Sequence, residues 1–235
     1  MEQFFYSNKI YTDKILIPID EARHILKVLR KHNGDDIQVV DGLGNLYHAR
    51  IISDSINHCK AKIISIEEKY QCPDYYIHIA ISPPKSHDRL ESFIEKAVEI
   101  GVQEISFIVT NHSERNIIKK NRINKCAISA MKQSLKAYYP IINDTIMMSE
   151  FIKKCKSIEK YIAYLSKDNN THLFNTAFKD NNYCILIGPE GDFSQMEINQ
   201  SKKYGFIPVS LGNNRLRTET AAIVACNIFN IINNI

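Results

Sequence analysis

Two short segments near the C-terminus gather residue types able to hold and act on a small polar ligand. The first is Ile187-Gly188-Pro189-Glu190-Gly191-Asp192-Phe193-Ser194. Pro189 and Gly191 fit positions i+1 and i+3 of a type I turn, so a plain turn explains much of it. Ser194 and Glu197 have the spacing of a capping box that opens a helix. The second runs Leu211-Gly212-Asn213-Asn214-Arg215-Leu216-Arg217-Thr218-Glu219-Thr220-Ala221-Ala222. Here arginines, threonines and a glutamate sit where a new helix would present its unpaired N-terminal amides. That combination favours an anionic or polar ligand. Two glycine-bearing strand ends this close in sequence can close on one ligand. Neither is a nucleotide cradle of the G-x-G-x-x-G or G-x-x-x-x-G-K-[ST] kind.

The elements that must position these loops follow from periodicity. Residues 1–72 read as mostly β, with Ile37–Val40 and Tyr47–Ile52 flanking the turn formers Asp41–Asn45, and Lys60–Ile66 as a further strand. One helix is expected over Glu21–Lys31, capped by Asp20 and ended by Gly34, with Ala22, Ile25, Leu26 and Leu29 inward. Arg23, Lys27 and Arg30 then share an adjacent face. Pro73 marks a boundary, and residues 73–235 alternate strand and helix. Strands are expected at Tyr76–Ser82, Ile105–Thr110, Lys160–Leu165, Tyr183–Ile187 and Phe206–Leu211. Helices are expected at Asp88–Ile100, Ile123–Tyr138, Gln195–Tyr204 and Glu219–Ile232. This is the pattern of an α/β domain with a mainly parallel sheet covered on both faces, which binds ligands beyond its strand C-termini.

The formal net charge is +4 over 235 residues. The whole excess falls in residues 71–160, where Arg115–Tyr139 holds seven cations and no acid. Such a run suits phosphate tracking, although a solvated face would read the same way. The N-terminus lacks the apolar core of a signal peptide, and no stretch approaches the roughly 18 apolar residues of a membrane helix. A cytosolic protein is expected. The six cysteines form no C-x-x-C pair, so reduced thiols are expected rather than an export framework or a metal site.

Taken together, Gly188-Pro189-Glu190-Gly191-x-Phe193-Ser194-x-x-Glu197, Leu211-Gly212 and Leu216-Arg217-Thr218-Glu219-Thr220-Ala221 resemble the RsmE family. These are SPOUT-superfamily methyltransferases that modify uridine N3 in 16S ribosomal RNA. The resemblance extends to His24-x-x-Lys27-Val28-Leu29-Arg30, Lys85, Asp88-Arg89, Ser113-Glu114-Arg115 and Gln133-Ser134. It implies an N-terminal PUA-like β-barrel, a SPOUT domain with a C-terminal trefoil knot, and a homodimer. It also implies S-adenosylmethionine held by Leu165, Ile187, Gly188, Pro189, Glu190, Gly191, Leu211, Gly212, Leu216, Thr218 and Thr220. Arg217 would stabilise charge on the target base, and Glu219 would accept its proton or orient Arg217. RNA, within the small ribosomal subunit, would meet Arg23, Lys27, Arg30, Lys85, Arg89, Arg115, Lys132 and Lys136. The sequence departs from the family pattern at Asp192, where a second glycine is usual, and at Asn214, Arg215, Lys132 and Lys136. Methylation of another RNA such as tRNA, or a non-catalytic RNA-binding role in ribosome assembly, are the competing readings.

Overall fold

The computed structural model describes residues 3–164 and 171–235. Its contacts divide into two compact units, residues 1–72 with 128–139, and residues 73–127 with 140–235.

The first unit is a five-stranded sheet of β1 (Phe4–Tyr6), β2 (Lys14–Leu16), β3 (Asp36–Val40), β4 (Leu46–Ser53) and β5 (Lys60–Glu67), in the order β1-β3-β4-β5-β2. It curls into a half-barrel, helped by two register shifts between β4 and β5, because an extra residue bends the strand that carries it. The inward residues, among them Phe5, Ile15, Ile37, Val39 and Ile51, form a core with Ala22 and Ile25 of the helix. The expected hairpin turn is present. The Asp41 carboxylate accepts from the Leu43 and Asn45 amides at 2.7 and 3.1 Å.

The helix differs from expectation. It begins at Ile19 as α1 (Ile19–Arg23), with Pro18 at the cap position, so Asp20 lies in the first turn and caps nothing. It continues as a π-helical turn over His24–Val28. This wider turn rotates the residues after it, which leaves Leu29 37% exposed and puts Arg30 at φ +55°, outside the helix. Arg30, not Gly34, carries the left-handed conformation at the helix end, and Arg23, Lys27 and Arg30 share no regular helical face.

The second unit is a six-stranded parallel sheet in the order β11-β9-β10-β6-β7-β8. Its strands are β6 (Tyr76–Ile81), β7 (Glu104–Val109), β8 (Ile141–Met147), β9 (Glu159–Ala163), β10 (Asn182–Ile187) and β11 (Ile207–Val209). The apolar runs of β6 and β10 are buried on both sides. Ala80, Ile162 and Leu186 pack with α4 (Met148–Lys154) and α5 (Gln195–Lys203). On the other face Tyr183 stacks on Phe229, ring centroids 4.5 Å apart, beneath α2 (His87–Ile100) and α6 (Thr218–Asn234). Gly101, at φ +117°, ends α2. The basic helix α3 (Lys120–Gln133) starts and stops earlier than its sequence pattern suggests.

Two features of this sheet place the site. Since α2 follows β6 onto one face and α5 follows β10 onto the other, the β10/β6 boundary is a switch point, where a crevice opens. α6 follows the edge strand β11 yet packs against α2, β6 and β10. The segment from Ser210 to Arg217 therefore crosses the C-terminal ends of β9 and β10.

Candidate active site

The first loop leaves β10 at Ile187. Asp192 N–H donates to Pro189 O at 2.9 Å, so the turn closes one residue later than the proline and glycine spacing suggests. Asp192 occupies the turn's left-handed position, φ +59°. A short polar side chain tolerates that conformation, and Asp192 Oδ1 accepts from the Phe193 amide at 2.8 Å. The capping box is formed by Ser194 and Glu197. Glu197 also accepts from Asn111 N–H at 2.8 Å, tying α5 to the segment after β7. The glycines are dictated by neighbours. A Cβ on Gly188 would lie 3.1 Å from the Phe193 ring, and one on Gly191 3.0 Å from His112 Cβ.

The second loop is held against the first. Arg215 Nη2 donates to Glu190 O at 3.2 Å, while Ser210 Oγ accepts from Gly212 N–H at 3.1 Å. Gly212 has φ +122° and open space where a Cβ would project, so its backbone conformation is what requires glycine. Arg217 sits at the cap position of α6 and makes no side-chain cap. The amides of the first turn are thus left for a ligand.

Between these loops lies a cavity of about 610 Å³. Of the expected residues, Ile187, Gly188, Pro189, Glu190, Leu211, Gly212, Leu216, Arg217, Thr218 and Arg89 line it. Gly191, Glu219 and Thr220 are not among the lining residues, and Leu165 lies outside the described residues. Ala163 and Tyr164, at the end of β9, supply a wall that residue types alone do not signal. Among the described residues Glu219 forms no ion pair with Arg217. Its Oε1 lies 3.7 Å from Arg89 Nε instead, because α6 packs on α2. Arg217 is exposed and forms no ion pair among the described residues.

Three of the seven cations in the run meet carboxylates in three dimensions. Lys120 pairs with Asp144 at 2.7 Å, Arg122 with Glu91 and Asp88, and Lys132 with Glu21. Arg115 binds the His87 ring and Lys85 O. Lys85 pairs with Glu114 at 2.5 Å, which holds its ammonium above the ordinary value. Arg23 lies 3.8 Å from Asp20, whereas Lys27, Arg30, Lys119 and Lys125 are exposed. Lys136 is half-buried. Among the described residues no His, Cys, Asp or Glu cluster could hold a metal ion, and no helix is long and apolar enough to cross a membrane.

A glycine-walled cavity at a switch point, in an α/β unit accompanied by a β unit, defines a ligand-binding α/β protein. A model of the RNA methyltransferase domain matches residues 71–230, and one of the RNA methyltransferase PUA domain matches residues 17–69. The chain belongs to the ribosomal RNA small subunit methyltransferase E family. It is 31% identical to that protein of Mesomycoplasma hyopneumoniae over 229 residues, covering 95% of this chain and 96% of the relative. A crystal structure from Porphyromonas gingivalis, described as a probable rRNA methyltransferase, is 40% identical, with a TM-score of 0.91 and 98% of each chain covered. The Neisseria gonorrhoeae ribosomal RNA small subunit methyltransferase E, solved bound to S-adenosyl methionine, is 27% identical. Its TM-score is 0.85, with 96% of this chain and 95% of that chain covered.

Proposed function

We propose that this protein transfers a methyl group from S-adenosylmethionine to N3 of a uridine in 16S ribosomal RNA, in the bacterial cytoplasm. The observation that carries this reading is the cavity walled by Gly188–Glu190 and Leu211–Thr218 beside the uncapped start of α6. Its volume suits a nucleoside-sized ligand, and its walls are mostly backbone and apolar side chains, which fit an adenosine group. Ile187, Gly188, Pro189, Glu190, Leu211, Gly212, Leu216 and Thr218 would hold the cofactor. When bound, it supplies an electrophilic methyl group on a positively charged sulfur.

The chain's own task is placement and charge stabilisation. The uracil N3 proton leaves to water, and the N3 lone pair forms the bond to the methyl carbon as the carbon–sulfur bond breaks. Negative charge spreads onto the two carbonyl oxygens flanking N3. Arg217, exposed at the cavity and without an ion pair among the described residues, would meet one of them. Residues 1–72 would be the RNA-binding domain and residues 73–235, apart from the segment 128–139 that groups with the first unit, the catalytic one. RNA phosphates would be met by the exposed Arg23, Lys27 and Arg30. We assign the assembled small subunit as the substrate and a homodimer as the working form, with the site completed at the subunit interface.

Calorimetry should show saturable S-adenosylmethionine binding. Mass mapping of ribosomal RNA from cells lacking the protein should reveal one 16S uridine that has lost 14 Da, restored by purified enzyme acting on small subunits. A lost methyl group in tRNA instead, or no cofactor binding, would overturn the assignment.

A further inference from the structure

Three arginines line the cavity: Arg89, Arg215 and Arg217. Arg215 is engaged in joining the loops through Glu190 O. Arg89, in the first turn of α2, is held by a carboxylate from the other helix, its Nε lying 3.7 Å from Glu219 Oε1. Glu219 is only 9% exposed. Its second oxygen, Oε2, is sealed from solvent and has no hydrogen-bond partner. A buried carboxylate with half its acceptor capacity unused is a poor device for stability, since an apolar residue would serve packing better. It does pair, through Nε, with a guanidinium at a cavity wall whose Nη groups lie on the same planar head.

The position of Arg89 narrows what those groups meet. The cofactor walls follow β9, β10 and β11, whereas Arg89 follows β6, on the opposite flank of the Gly188 loop. A guanidinium beside a positively charged sulfur is repelled unless an anion lies between them. The anion that forms there during methyl transfer is the deprotonated base, which has two carbonyl oxygens to be met.

Resting on the methyl-transfer reading above, we propose that Arg89 is a second catalytic guanidinium. It stabilises the uracil anion together with Arg217, and Glu219 is the positioning residue that aims it. The pair needs no proton of its own: N3 yields its proton to water, and Arg89 stays charged throughout.

Single-turnover methylation of small subunits at saturating S-adenosylmethionine tests this, with cofactor affinity measured separately by calorimetry. Arg89→Ala should slow the saturated rate by about 100-fold while changing cofactor affinity less than about threefold. Its pH–rate profile should move to higher pH, because the base becomes harder to ionise. Arg89→Lys keeps the ion pair, and with it the fold, and should recover part of the rate. Glu219→Gln should slow the wild type by about tenfold and add nothing in the Arg89→Ala background. Weakened cofactor binding with an unchanged saturated rate would assign Arg89 to the cofactor's carboxylate and overturn the proposal. So would equal losses from Glu219→Gln in both backgrounds. Methylation by the wild type would leave the broader reading standing in either case.

Discussion

At the scale of single residues, His78 shows how burial selects a protonation state. Its ring is 7% exposed, with Nε2 2.8 Å from Ser106 Oγ and Nδ1 3.5 Å from Glu104 Oε2. Burial pulls its pKa below the ordinary 6.5, and the Glu104 carboxylate opposes this only in part. The folded state therefore holds fewer protons than the unfolded state below that pH, so stability is full above it and declines as pH falls. The unfolding free energy should drop between pH 7.5 and 5.5, by at most about 1.4 kcal/mol per pH unit from this group, as read from denaturant titrations. His78→Gln should flatten that dependence, and an unchanged slope would remove His78 as its source. Glycine is the other residue-scale lesson. Gly188 and Gly191 are favoured by the close approach of Phe193 and His112, while Gly212 is favoured by its own left-handed backbone. All three look alike as letters.

At the scale of elements, the capping box at α5 was legible because its signal spans only four residues. Ser194 Oγ lies 2.8 Å from Glu197 Oε2, and the Glu197 carboxylate also accepts from the Ser194 and Asn111 amides. Ser194→Ala should destabilise the protein by about 1–2 kcal/mol, the usual cost of a lost cap, read as a lower denaturant midpoint at constant slope. A shift below about 0.3 kcal/mol, the scale of a neutral surface change, would mean that Asn111 holds Glu197 alone. β8 and α4 escaped the sequence reading for a physical reason. β8 is an edge strand interrupted by Asn143 and Asp144, and Asn143 serves Glu104 and Ser106 rather than a face pattern. α4, at seven residues, is too short to show a period. The three-residue strands β1 and β2 escaped for the same reason. The π-helical turn after α1 has no sequence mark, and it alone turned Leu29 and Arg30 out of register.

At the scale of the whole molecule, charge is governed by pairing and not by counting. Seven cations without an acid between Arg115 and Tyr139 suggest a strong phosphate-binding surface, yet Lys120, Arg122 and Lys132 meet carboxylates from distant parts of the chain. RNA affinity should then fall only moderately with salt. About three phosphate contacts give a log–log slope near −2 on single-stranded RNA, measured by filter binding across a salt series. Lys27→Ala should reduce the slope by about 0.7. Lys132→Ala should leave the slope unchanged and lower the melting temperature instead, because Glu21, whose side chain is 12% exposed, loses its partner. A reduced slope in Lys132→Ala would return that residue to the RNA surface. The sequence by itself determined the parallel α/β class, the two ligand loops and the helix start beside them, because turn residues, caps and hydrophobic period act within a few positions. Only the tertiary structure decided that Glu219 pairs with Arg89, that the β9 end supplies a wall, and which cations meet carboxylates. Those outcomes depend on which distant segments the sheet order and the crossing of Ser210–Arg217 bring together, and no local rule carries that information.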